Sequence, residues 1–394
     1  MSRARAVRNL FAPSGIPLAW RQLAADKKRL ATAVAGVTFG VMLMLFQLGL
    51  YNAIDTMVIL PQMNMAGDLV MTSTDFEYIG ANREFTRRRL YQAASLDEVS
   101  SVAPVYVGFL FWSNPETHRS KQLLVMAVEP DHDPFINPVI RNQIPLLQDP
   151  EAVLFDSLSQ STFGPVTQLF RSGPVETELE RRHCVVRGLF EIGPTLAASA
   201  NVIMSDEGYF RYRPYRARNM PNLGFISLKK GADPERTAAR LHSILPNDVR
   251  VITRDRFMRE EQTYWNNRTP VGFVVTAGMI VGMLVGAIVV YQILYTDVND
   301  HLKEYATLKA IGIRDLFFTV LVLEEALILV CLSFPPAFVL TLGIDRLARE
   351  RVNIPARIET GQALMVLLAV AVMCLLAGQL ATRRLRSADP ANVF

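Results

Sequence analysis

Residues 269–296 read TPVGFVVTAGMIVGMLVGAIVVYQILYT, a run of 28 residues without Asp, Glu, Lys or Arg. A helix rises about 1.5 Å per residue and needs roughly 20 apolar residues to cross ~30 Å of hydrocarbon, so this run is long enough to span a bilayer. Three further charge-free runs are Leu30–Ile54, Ala326–Ile344 and Thr360–Thr382, of 25, 19 and 23 residues. Each can span, which predicts four transmembrane helices. The first is too long for the 7–15-residue apolar region of a signal peptide and follows a charge-rich segment, so it reads as an uncleaved helix.

The rest of the chain fits that frame. Of its 394 residues, 50% are hydrophobic and 20% charged, and its mean hydropathy is +0.20. That is too apolar for an ordinary soluble protein and too charged for a wholly membrane-embedded one. Lys and Arg in the short flanks set orientation. Thirteen lie in the N-terminal flank, the loop after the second span and the C-terminal tail, against four (Arg346, Arg349, Arg351, Arg357) between the third and fourth spans. Both termini are expected in the cytoplasm. The net charge of +4 reflects this asymmetry and gives no ground for nucleic-acid binding.

The expected organisation is a cytoplasmic segment (1–29), span one (30–54), a periplasmic ectodomain (55–268), span two (269–296), a cytoplasmic loop (297–315), span three (316–344), a short periplasmic loop (345–359), span four (360–382) and a cytoplasmic tail (383–394). The fold class is therefore an α-helical membrane protein with four transmembrane helices and a large mixed α/β ectodomain between the first two. Alternation and β-branched content predict strands at Asp68–Met71, Val102–Trp112, Gln122–Val128, Gly224–Leu228 and Val249–Thr253. Helices are predicted at Glu84–Ala94 and Pro234–Leu245, the latter opened by an Asp233 N-cap before Pro234. Residues 152–205, rich in Gly and Pro turns, suggest a small β-rich subdomain.

Catalytic patterns are missing from the sequence. It has no G-x-x-x-x-G-K-[ST], G-x-S-x-G or H-E-x-x-H, so no nucleotide loop, nucleophile elbow or zinc-protease helix is encoded. Only Cys184 of the three cysteines falls in the ectodomain, the five histidines form no i, i+4 pair, and no metal site is expected. Asp131-His132-Asp133 sits between Pro130 and Pro134 and reads as a turn; Arg87-Arg88-Arg89 reads as a solvated helix face.

Three features point to work done in the membrane. Glu324 and Glu325 fall within the third hydrophobic stretch, where an ionisable group is costly and a functional candidate, unless the helix begins in the cytosol and they stay near the interface. Gly278, Gly282 and Gly286 recur every fourth residue in span two, as do Gly36 and Gly40 in span one; small residues at this spacing let another helix approach, within the chain or from a second subunit. Finally, Leu302, Tyr305, Ala306 and Leu308 line one side of a short helix whose other side carries Lys303, Glu304 and Thr307. Lys309 interrupts the stripe and Gly312 supplies a C-cap. Such a helix between two spans can dock on a soluble cytoplasmic partner and pass its motion into the membrane.

Several blocks also carry a resemblance: Tyr264-Trp265, Gly272-Phe273, YQILYTDV at 291–298, EYATLKAIG at 304–312 and ADPANVF at 388–394. They resemble the FtsX-like/MacB-like permease superfamily, and within it the DevC-type permeases of glycolipid exporters. The resemblance implies an inner-membrane homodimer, with spans one and two as the dimer interface and Leu302–Gly312 as the coupling helix. It also implies a separate ABC ATPase carrying ATP and Mg, no cofactor on this chain, a periplasmic adaptor and a TolC-like outer-membrane duct. Function would then be mechanotransmission in a tripartite exporter, without catalysis by this chain. Other branches of the superfamily release lipoproteins or regulate cell-wall hydrolases. A membrane-anchored sensor is the alternative from another class, although two helices would suffice for it; a membrane enzyme is disfavoured by the lack of acids in spans one, two and four.

Overall fold

The computed structural model describes residues 18–81, 83–301, 307, 313, 315–352 and 360–387. Its helices are α1 (Leu18–Ala25), α2 (Lys27–Met63), α3 (Arg88–Ala94), α4 (Asp206–Tyr212), α5 (Pro234–Ile244), α6 (Arg254–Arg268), α7 (Pro270–Asp300), α8 (Asp315–Val352) and α9 (Thr360–Ser387), besides several single turns. Four of them, α2, α7, α8 and α9, are long and apolar enough to cross a membrane. Each of these helices extends past its charge-free run at one end or both. The chain divides into two compact units, one containing the spans and the other comprising Ala53–Gly272 with Arg349–Pro355.

In the span unit the core is aliphatic, built from residues such as Val37, Val41 and Leu45 of α2, Val290 and Leu294 of α7, Leu321 and Leu329 of α8, and Val366 and Val370 of α9. Polar contacts supplement it. Asn52 and Gln362 exchange side-chain amide hydrogen bonds of 2.5 and 3.0 Å, Ser333 Oγ donates to the Val34 carbonyl, and Arg29 pairs with Asp300 at 2.7 Å. The Asn52–Gln362 and Ser333–Val34 pairs lie within the charge-free runs, where lipid offers no hydrogen bonds and such pairs fix which helix faces meet; Arg29–Asp300 lies outside them.

The ectodomain unit is built on nine strands: β1 (Leu69–Ser73), β2 (Val99–Ser113), β3 (Ser120–Val128), β4 (Ala152–Asp156), β5 (Val175–Leu179), β6 (Arg182–Phe190), β7 (Asn201–Ser205), β8 (Leu223–Leu228) and β9 (Val249–Thr253). They pair in the order β3-β7-β4-β6-β5-β2-β8-β1-β9, and β3 also pairs with β2. Two substructures result. β1-α3-β2 and β8-α5-β9 make an antiparallel sheet ordered β2-β8-β1-β9, the split βαβ arrangement of ferredoxin-like folds. The 15-residue β2 then continues into a closed circuit of six strands with β3, β7, β4, β6 and β5, inserted between β2 and β8. Alternate residues explain both layers. Tyr106, Leu110, Trp112, Val125 and Val202 fill one core, while Val105, Val107, Leu124, Met126 and Ile203 face another. Helices α3 and α5 cover the sheet through Leu90, Leu241 and Leu245 against Leu69, Met71 and Ile226.

The predicted strands appear at or near their expected positions. Asp233 caps α5 by accepting the Glu235 and Arg236 amides at 3.0 and 3.3 Å. Three expectations change. Helix α3 starts at Arg88 rather than Glu84, because the Phe85 and Arg87 amides go to the carbonyls of Pro221 and Asn219. Residues 152–205 do not form a subdomain of their own: their strands close a circuit only by recruiting β2 and β3. Arg87 and Arg89 are not a free solvated face either, since Arg87 pairs with Glu129 and Arg89 binds both oxygens of Asp248.

Candidate functional site

Helix α6 is the last ectodomain element before span two in the chain. Its sequence RDRFMREEQTYWNNR places Phe257, Glu261 and Trp265 at i, i+4 and i+8, on one face. That face lies against the turn formed by residues 76–81. Phe257 packs on Phe76 with ring centroids 5.4 Å apart, and Tyr78 stacks on Tyr264 at 4.7 Å and meets Trp265 edge-on at 5.4 Å. Between the two aromatic contacts sits Glu261, only 2% exposed, whose Oε1 accepts the Ile79 amide at 2.9 Å. Burial pushes its carboxyl up to about 7, against the Ile79 and Trp265 hydrogen bonds and the charge of Arg250.

Next to this face α6 grips α2. Gln262 Nε2 donates to the Asp55 carbonyl and to Asp55 Oδ2 at 3.2 and 3.0 Å, and Asn266 Nδ2 donates to Oδ1 at 3.0 Å. Two amides four residues apart thus hold one carboxylate. Arg250 of β9 binds Glu260 at 2.7 Å and Thr72 of β1 at 3.0 Å, tying α6 to the sheet. A cavity of about 350 Å³ opens here, lined by Phe76, Glu77, Arg250, Tyr264 and Arg268 among others. The arrangement has no nucleophile–base pair. What it can do is hold the α2 and α6 ends, each continuous in sequence with a span, in fixed relation to the sheet.

The sequence-predicted residues fall elsewhere. A Cβ on Gly40 would lie 2.9 Å from Gly286 Cα, one on Gly36 would meet Val289 at 2.9 Å, and Gly282 faces Leu43 at 3.6 Å. Gly278 abuts the Gln47 side chain, and Gly286 abuts Met44 and Met373. All five glycines therefore meet helices of their own chain, so the close approach expected of them is intramolecular. A subunit interface at these positions loses its support, because α2 and α7 already occupy one another's glycine faces. Glu325 is fully buried inside α8 and Glu324 partly exposed. They lie nine and ten residues into the helix, about 14 Å from its start. Of the coupling residues, Thr307 is helical and exposed; Leu302, Lys303, Glu304, Tyr305, Leu308, Lys309 and Gly312 lie outside the described residues. Asp133 accepts the Phe135 amide and pairs with Arg141, as a turn residue does. Among the described residues no group of three His, Cys, Asp or Glu is placed to hold a metal.

Sequence reasoning missed Asp55, Ile79, Glu261, Gln262 and Asn266. The available signal was Glu261 standing on the Phe257/Trp265 stripe, where an apolar residue would be the rule.

Four of the described helices are long and apolar enough to cross a membrane, and a large α/β unit lies between the first two in the chain. The family model described as MacB-like periplasmic core domain matches residues 30–244, more than half the chain, and that of the FtsX-like permease C-terminal matches 276–390. The chain belongs to the FtsX-like, MacB-like permease family. Its members are membrane components of ABC transporters, working with ABC ATPases in the inner membrane and carrying a periplasmic domain.

Three solved structures are similar. The periplasmic region of MacB from Actinobacillus actinomycetemcomitans is 8% identical over 50% of this chain and 92% of that one, with a TM-score of 0.33. The extracellular domain of the noncanonic ABC-type transporter YknZ from Gram-positive bacteria is 13% identical over 47% and 98%, at 0.32. A domain of a putative permease protein from Porphyromonas gingivalis is 13% identical over 49% and 91%, at 0.27. No curated protein matches the chain.

Proposed function

We propose that this permease transmits motion, driven by ATP hydrolysis on a separate ABC ATPase, from the cytoplasm to its periplasmic domain, within a tripartite system exporting a glycolipid or another hydrophobic molecule. The single observation that carries the reading is the junction at Asp55, where Gln262 and Asn266 join the two helices that lead into spans one and two. Motion of one helix is passed to the other there, and α6 is tied to the sheet through Arg250. In this scheme both termini are cytoplasmic and Leu302–Gly312 is the coupling helix that receives the ATPase. ATP and Mg reside on that partner, and a periplasmic adaptor and a TolC-like duct complete the path. Two copies pair through surfaces other than the glycine faces, such as the exposed Phe273, Val281, Leu284 and Ile288 of α7.

The test is Glu304→Lys and Leu308→Asp in a complex reconstituted with an ABC ATPase that binds the wild-type chain. A buried Leu contact is worth roughly 1.5–3 kcal/mol, so Leu308→Asp should weaken association about tenfold or more. Permease-stimulated hydrolysis and export should fall while adaptor binding persists. Wild-type association, hydrolysis and export in both variants would remove the coupling role.

A further inference from the structure

The transmission junction accounts for Asp55, Gln262 and Asn266 but leaves Glu261 without a role. A buried carboxyl whose carbon skeleton is held between two aromatic contacts is an expensive choice where a leucine would pack. Its hydrogen bonds, moreover, come from a backbone amide of a turn and from Trp265 rather than from a cation. We propose that Glu261 is a proton-gated positioning residue: neutral, it fastens the 76–81 turn to α6 through the Ile79 amide, and ionised, it releases that turn.

The surroundings set the direction. From the turn, Glu77 and Tyr78 face the group; from β9, Arg250; from α6 itself, Glu260, Tyr264, Trp265 and Arg268. Arg250, the cation that acts on Glu261, is already engaged by Glu260 and Thr72. An ionised Glu261 therefore keeps most of its desolvation cost, and the 350 Å³ cavity beside it offers water a way in once the turn lifts. When neutral, the carboxyl still accepts from Ile79 through its carbonyl oxygen, and the cost is gone. The folded value near 7 lies above the value of 4.5 for the exposed group. The latch is thus fully closed below about pH 4.5, weakens as pH rises and reaches its weakest above about 7.

Its relevance to transport rests on the proposed function; its proton dependence does not, because it can be read without the partner ATPase. The experiment is hydrogen exchange of the full chain in phosphatidylcholine nanodiscs from pH 5.5 to 8.5, corrected for intrinsic exchange. The opening equilibrium of the Ile79–Ala81 amides should rise about tenfold or more across that range in the wild type. Amides of α5 should show no such step. Glu261→Gln keeps an oxygen acceptor without a titrating proton, so its turn should stay protected at every pH. A flat wild-type profile, an equal step in α5, or a step that survives in Glu261→Gln each overturns the proposal. The wild-type profile decides even if the variant does not fold.

Discussion

Gly40 and Gly286 touch backbone to backbone, and the energetics at that contact are unforgiving. Because the atom facing an added Cβ at Gly40 is Gly286 Cα rather than a flexible side-chain tip, Gly40→Leu can be accommodated only by parting α2 from α7. A cost of about 1–3 kcal/mol is expected, read as a lowered thermal midpoint of the purified chain. Gly343→Ala is the control: nothing lies within 4 Å of its Cβ position and Ala favours a helix over Gly by up to about 1 kcal/mol, so it should melt at or slightly above wild type. In the ectodomain, fully buried Asp156 accepts from the Asn201 side chain and the Gly193 amide at 2.8 Å each, and from Leu158 at 3.1 Å. Asp156→Ala orphans these donors and should cost about 2–3 kcal/mol or more in urea unfolding. Glycine spacing was legible in the sequence; which helix would meet it was not, because a four-residue repeat specifies a smooth face and carries no address. Glu261 was marked only by its place on the Phe257/Trp265 stripe, and its burial was hidden for a related reason. In a helix this charged, one more carboxylate looks solvated until the turn at 76–81 is folded over it.

Charge-free runs made the spans readable, since only length and polarity decide whether a helix suits lipid. Strands with clear alternation, such as β2 and β3, were readable too. The middle of the ectodomain was half-read: local pattern reports that β4–β7 are strands, but their partners lie far along the chain, and β2 joins two substructures by outlasting the first. That circuit has a chemical consequence at β6, where Cys184 points into the core, is fully buried and has its thiol pushed up to about 12 by burial. An impermeant maleimide should not label Cys184 in the native protein, and labelling in urea should track global unfolding. Native labelling would mean that the six-strand circuit opens. At the N-terminus of α5, Asp233→Ala removes acceptors for two helix amides and should lower ectodomain stability by about 1 kcal/mol.

At the scale of the whole chain, the proposed topology puts both ends in the cytoplasm; it is supported by the four candidate spans among the described residues and by the thirteen-to-four charge bias. Since Cys184 is shielded, topology is better probed with new cysteines. One at exposed Tyr215 should react in intact spheroplasts, and Ser387→Cys should react only after the inner membrane is breached; the reverse pattern would invert the topology. The double amide clasp on Asp55 also restricts the kind of movement this junction can carry. If α6 slid along α2 by one helical turn, about 5.4 Å, both donors would leave the carboxylate, whereas tilting about that point keeps them bonded. Under the proposed function the joint would act as a hinge pin, resisting a piston stroke and yielding to a scissor stroke, so that work delivered there would emerge as angle rather than as displacement.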